Sequence, residues 1–283
     1  FIVVIFVGLV GVNLFDSKLV PELIALDTKK FEAPPQRYVS AYKYSLGLNA
    51  SSEIKPLELG EKIYREIFEY QNKNDVYASR EKLDQLIKQN VRRSSGALRR
   101  VGFCEGDELA QDLKQLANKQ DEVELVTNRF QELVAFGGLA IDLPLDMTSL
   151  GVPSVNLLEA SRLLRVRLSQ EVHNGNVEFA VNRAIETRDF FVNSLGYLNS
   201  LLFMMVSHVI IESYTDFLIE VRDQNAEARE YLAQIPRERK VVNLSFDRIR
   251  NLAIKSELMA QKNIVNLMRS GKVTEMGFDL VST

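Results

Sequence analysis

The stretch from Ser154 to Glu220 constrains the fold most, because two amphipathic helical patterns there run into a third that is apolar on nearly every side. The first opens at Ser154, which follows Pro153 and is placed to cap a helix N-terminus. Leu157, Ala160, Leu164 and Leu168 recur at helical spacing, leaving Arg162, Arg165 and Arg167 on faces expected to be solvated. The pattern stops at Asn174-Gly175-Asn176, where glycine enters the left-handed region without a Cβ clash. A second helix follows at once, with Val177, Ala180, Val181, Ala184 and Phe191 as its stripe and Glu178, Asn182, Glu186 and Asp189 opposite. So short a turn makes the two helices antiparallel neighbours, and Ala180 and Ala184 let them approach closely. The third pattern, from about Tyr197 to Val221, holds Leu201 to Val206 and Val209 to Ile211, separated by Ser207 and His208. This run is shorter than the roughly 20 residues a bilayer crossing needs, so it is expected to be a central buried helix. His208 then reads as a histidine hydrogen-bonded within the core, and Met204 and Met205 as gap-filling core residues.

The order of apolar helix, Gly175-Asn176 turn and small residues Ala180 and Ala184 resembles a tetratricopeptide-type unit, in which small residues sit where paired helices touch. The segment from Leu201 to Gln234 is helical in pattern but lacks a second glycine turn with that spacing. The expected fold class is all-α: a helical-hairpin domain, tetratricopeptide-like or an irregular α-solenoid, behind an N-terminal transmembrane helix.

That helix is expected over residues 1–15, where Ile2, Val3, Val4, Ile5, Phe6, Val7, Leu9 and Val10 form the candidate membrane anchor. At about 1.5 Å per residue this run spans roughly 22 Å, short of a hydrocarbon core of about 30 Å, so it reads as the tail of a longer hydrophobic segment. No small-x-small cleavage site precedes Asp16 and no cysteine follows the run, which favours an uncleaved anchor over a secretory or lipoprotein signal, with a buried core helix as the alternative. Residues 16–54, broken by Pro21, Pro34 and Pro35, read as an extended tether in which Tyr38 to Leu48 lies against the domain or a partner. Residues 55–271 form the helical domain and 272–283 a C-terminal tail.

Further helices are predicted over Leu57 to Asn72, with Ile63, Ile67 and Tyr70 inward, and after Asp75, with Leu83, Leu86 and Ile87 as the stripe. Asp107 to Phe136, closed by Gly137-Gly138, reads as one long helix or two shorter ones, and Asn225 to Gln234 as a short one. A last helix is expected from Ser245 to Gly271. Between them, Val91 to Arg100 gathers Arg92, Arg93, Arg99 and Arg100 around a Ser-Gly break. These are the candidate partner contacts, suited to an acidic protein, phosphate or anionic lipid, with a solvated loop as the plainer reading. Cys104 lies beside Glu105, Asp107 and Glu108, whose charge opposes thiolate formation, so it reads as a packed thiol and not a nucleophile.

The segment from Ala41 to Ala50, followed by Pro56 and Leu57-Glu58-Leu59-Gly60, resembles the opening of poorly characterised bacterial envelope proteins that pair an N-terminal membrane segment with a helical domain. Leu163-Leu164-Arg165 with the Gly175-Asn176 turn is similar to the same group. The resemblance implies a single-pass inner-membrane protein with a periplasmic domain, and it implies no activity. Composition narrows the alternatives. With 35 basic and 38 acidic residues the net charge is −3, which gives no electrostatic case for nucleic acid. One cysteine and two histidines exclude a cysteine-rich metal site and leave no histidine cluster, so no cofactor or metal is expected. No Ser/His/Asp set or phosphate-cradling glycine loop stands out, and no catalytic residue is assigned. The expected function is a membrane-anchored scaffold or accessory subunit with a membrane-protein partner. The alternatives are an envelope hydrolase using carboxylates such as Glu171, Glu186 or Glu212, and a lipid or small-ligand module beside Phe203, Met204 and Met205.

Overall fold

Prolines open the first two helices of the structure, a computed structural model that describes residues 33–72, 85, 119–142, 152–198 and 200–235. Helix α1 (Gln36–Leu46) follows Pro35 at its N-cap, and α2 (Pro56–Asn72) begins on Pro56 itself. In a first turn the N–H that proline lacks is not needed and its fixed φ is already helical, so proline starts a helix there as readily as it ends one elsewhere. This corrects the expected tether. From Gln36 onward the chain belongs to the packed domain, with Tyr38, Val39, Ala41, Tyr42, Tyr44 and Leu46 all buried. Residues 1–32, which hold the expected anchor and the first part of the tether, lie outside the described residues, as does the tail 272–283.

Every regular element among the described residues is an α-helix. After α1 and α2 come α3 (Gln120–Val134), α4 (Val152–His173), α5 (Val177–Leu195), α6 (Leu201–Gln224) and α7 (Ala226–Gln234). The expected helix from Ser245 to Gly271 lies outside the described residues, and of the one expected after Asp75 only Gln85 is described, in helical conformation.

Helices α1 and α2 meet backbone to backbone at Gly47 and Gly60. A Cβ on Gly60 would overlap the Lys43 carbonyl oxygen, and one on Gly47 the Pro56 carbonyl oxygen. Only glycine allows so close a crossing. The loop that joins these helices is held from outside by Arg129 of α3, which donates to the carbonyls of Leu48 and Ala50 and, at 2.9 and 3.1 Å, to those of Ser51 and Ile54. One buried guanidinium thus satisfies carbonyls that no helix or sheet would pair.

The α4–α5 hairpin forms as its turn residues predict. Gly175 has φ +88°; its N–H donates to the Val172 carbonyl at 3.1 Å and the Asn176 N–H to the Glu171 carbonyl at 2.8 Å. That pair of bonds is a Schellman closure. Ala180 and Ala184 are fully buried. The helices run 22 and 19 residues, longer together than a tetratricopeptide unit of about 34. Ser154 does not cap α4: the helix already runs from Val152, which puts Ser154 in its first turn.

The centre of the fold is α4, not α6. Leu163, Leu164, Arg165 and Val166 are consecutive and all buried, so no face of this segment meets solvent. Around it stand α1, α3, α5 and α6. Its polar side chains, expected to be solvated, instead reach the surrounding helices. Arg165, 6% exposed, donates to Ser213 Oγ of α6 at 2.9 Å and lies 3.8 Å from the Glu220 carboxylate. Arg167 donates to Asn128 of α3 at 3.0 Å, and Tyr214 of α6 donates to the Ser161 carbonyl at 2.8 Å.

Helix α6, by contrast, is buried on one side. Phe203, Met204, Ile210, Tyr214, Phe217, Leu218 and Val221 face the bundle. Leu202, Met205, His208 and Val209 are exposed, which corrects the core reading of Met205 and of the His208 imidazole. The remaining core is continuous from α1 to α7, with Tyr42 set edge-on to both Tyr64 of α2 and Phe203 of α6. After α3 the chain threads between α1 and the end of α5: the Leu139 N–H donates to Ser194 Oγ at 2.8 Å and the Ala140 N–H to the Tyr38 carbonyl at 3.1 Å.

Two substitutions test this packing by urea denaturation. Gly60→Ala is expected to lower stability by about 1–3 kcal/mol, since backbone on the facing helix must move, and to cost more than Gly175→Ala, whose added Cβ meets open space and brings only the strain of a positive φ. Arg165→Ala is expected to lower stability by about 1–3 kcal/mol by stranding Ser213 and Glu220, whereas the exposed Arg183→Ala should change it by less than about 0.5 kcal/mol.

Candidate functional site

Three helices each contribute one stripe to a cleft of about 420 Å³. From α5 come Ile185 and Arg188, one turn apart. From α6 come Thr215, Leu218, Ile219 and Arg222, at the three- and four-residue steps that place side chains on one helix face. From α7 come Arg229, Leu232 and Ala233, with Ile235 just beyond its end. The helix change at Asn225 is what brings the third stripe round: Asn225 ends α6 and caps α7, its side chain accepting from the Ala228 N–H at 3.1 Å. Asn182 of α5 donates to Tyr231 Oη at 2.7 Å and ties α7 down against the hairpin.

The cleft is apolar on its floor and cationic at its edge. Ile185 and Leu218 are buried, whereas Ile219, Arg222, Arg229 and Ala233 are exposed. Its guanidinium groups are not equivalent. Arg188 is buried and donates through Nε and Nη2 to Asp189 Oδ1 at 3.1 and 2.9 Å. Arg222 donates through Nε to Asp223 Oδ1 at 2.8 Å, and this contact holds the Asp223 carboxyl below its ordinary range. Arg229 donates to the Asp223 backbone carbonyl at 3.2 Å, one of the carbonyls left over at the C-terminal end of α6. Its guanidinium therefore bonds a peptide oxygen, while its charge, with that of Arg222, also acts on the Asp223 carboxyl. Among the described residues the lining holds three guanidiniums and no carboxylate, next to an apolar wall where an ionic contact is stronger than in open water.

The residues singled out from sequence are distributed differently. Arg92, Arg93, Arg99 and Arg100 lie outside the described residues, as do Cys104 and the anchor residues from Ile2 to Val10. The carboxylates of the hydrolase reading sit on three helices in separate contacts: Glu171 accepts from Asn176 at 2.6 Å in the hairpin turn, Glu186 pairs with Arg183 at 2.7 Å, and Glu212 is exposed on α6. No group of three or more His, Cys, Asp or Glu among the described residues is placed to hold a metal ion. Phe203 and Met204, expected beside a ligand space, are packed in the core, and the cleft lies along the other half of α6. Its arginines carried a weak signal in sequence, since Leu218 and Arg222 repeat at four residues, but the three stripes belong to separate helices and only packing brings them together.

A second polar cluster lies between α1, α2 and α3. Tyr44 donates to Glu132 at 2.6 Å and Tyr64 to Asp142 at 3.0 Å. Burial, then the bonded carboxylate, raises both phenols, Tyr64 to about 12. A phenol raised above its unfolded value holds its proton more tightly in the native state, so its contribution is complete below about pH 10 and lost as pH climbs through about 12. Absorbance titration at 295 nm is expected to show tyrosines ionising above the ordinary range, with the urea midpoint falling between about pH 10 and pH 12; Tyr64→Phe should flatten part of that fall. No family model, curated protein or solved structure matches the chain.

Proposed function

We propose that this protein is a membrane-tethered helical scaffold or accessory subunit that holds another protein. The observation that carries the reading is the uncovered apolar side of α6: Leu202, Met205 and Val209, at 38, 58 and 38% exposure, recur at steps of three and four residues. The outward side of a helix whose inner side forms core is ordinarily polar, so an apolar stripe there points to a cover, and helix-in-groove recognition uses anchors at this spacing. Among the described residues α6 is also the one helix long and apolar enough to cross a bilayer, with 44% of its apolar window buried. Its inner side packs on α4 and α5, and its outer side carries Glu212 and Asp216, which suits a protein contact better than lipid.

In this reading the hydrophobic start of the chain anchors the domain in the inner membrane of a bacterial envelope, with the helical domain periplasmic. The arginines at 92, 93, 99 and 100 supply a second, electrostatic contact. The helical hairpin serves as a tetratricopeptide-like or irregular solenoid module, and the partner is a membrane protein.

Purification from native membranes in mild detergent, followed by mass spectrometry and sizing, is expected to recover a partner at fixed stoichiometry. Met205→Asp and Val209→Asp should each release it while changing the urea midpoint little, because both positions are exposed. Recovery of wild type as a lone monomer, or of either variant with the partner still attached, overturns the proposal.

A further inference from the structure

We propose that the α5–α6–α7 cleft binds one amphiphile with a single negative charge, the carboxylate of a long acyl chain. The head lies at Arg222 and Arg229, and the tail runs over Ile185, Leu218 and Leu232. This site is separate from the exposed α6 stripe and does not depend on the scaffold reading.

Three observations select this ligand. The volume, about 420 Å³, is that of a small-molecule pocket and too small for a folded partner. The lining is cationic, with Arg188, Arg222 and Arg229 and, among the described residues, no carboxylate, which suits an anion. The available donors are in the right place: Arg222 commits Nε and Nη2 to Asp223, and Arg229 commits Nη2 to the Asp223 carbonyl. Each keeps Nη1 for an incoming group, and a guanidinium edge matches a carboxylate in geometry as well as charge. Among the described residues no aromatic ring lines the cleft, which offers a nucleotide base no stacking surface there. The apolar floor, in contrast, rewards a hydrocarbon tail in proportion to the area it covers.

The test uses the full chain in phosphatidylcholine nanodiscs, photolabelled with a diazirine analogue of dodecanoate and mapped by peptide mass spectrometry. Labelling is expected on peptides from α5, α6 and α7. Excess dodecanoate should suppress it, whereas dodecanol, acetate and inorganic phosphate should each compete at least about tenfold less well. The double variant Arg222→Gln/Arg229→Gln is expected to weaken dodecanoate competition by about tenfold or more with an unchanged circular dichroism spectrum. Ile219→Asp, which places a carboxylate at the exposed rim, should do the same. Equal competition by dodecanol, labelling confined to other segments, no saturable labelling, or undiminished competition in both variants overturns the proposal. Stronger competition by an acidic peptide than by dodecanoate overturns the acyl assignment, and displacement by phosphatidylglycerol vesicles but not by monomeric dodecanoate assigns the site to a lipid headgroup instead.

Discussion

The middle of helix α4 can be enclosed on all sides only because polar side chains such as Arg165 find partners on the helices that enclose it. An unpaired guanidinium at the position of Arg165 would oppose burial strongly. With Ser213 in bonding distance and Glu220 nearby, the same group fixes how α6 lies against α4. Tyr214, bonded to a backbone carbonyl of α4, adds a second point of register. Hydrophobic contact alone would let two apolar helices slide, whereas these directional bonds admit one alignment.

That alignment has consequences at both ends of α6. It turns Phe203, Met204 and Ile210 inward and leaves Leu202, Met205 and Val209 facing out. Further along it sets Leu218 into the core and Ile219 and Arg222 at the edge, beside α5 and α7. The apolar stripe and the arginine-edged cleft are therefore two results of one helix orientation. The N-terminal hairpin is fastened by different means, through the Gly47–Gly60 crossing, the Arg129 guanidinium on the intervening loop and the Tyr42 ring between α2 and α6.

Prolines show how one residue type serves opposite readings. Pro34-Pro35 looked like a stiff connector because proline disrupts a helix interior, yet a proline just before or at a first turn disrupts nothing. The apolar residues that follow gave the better indication, since Tyr38, Tyr42 and Leu46 recur at four-residue steps and are buried. A similar ambiguity affected α4 and α6. Arginines made α4 look half-solvated and a dense apolar run made α6 look central, but periodicity reports the polarity of a face and not what stands against it.

The sequence by itself determined the helical class, the Gly175 turn with its closely packed alanines, and the limits of most described helices, because caps, turns and apolar spacing act within a few residues. Tertiary structure decided which helix is central, which side of α6 stays uncovered and where the cleft lies. Those outcomes depend on pairs such as Arg165 with Ser213, or Arg222 beside Arg229 across the Asn225 break, formed between helices whose mutual orientation no local pattern encodes.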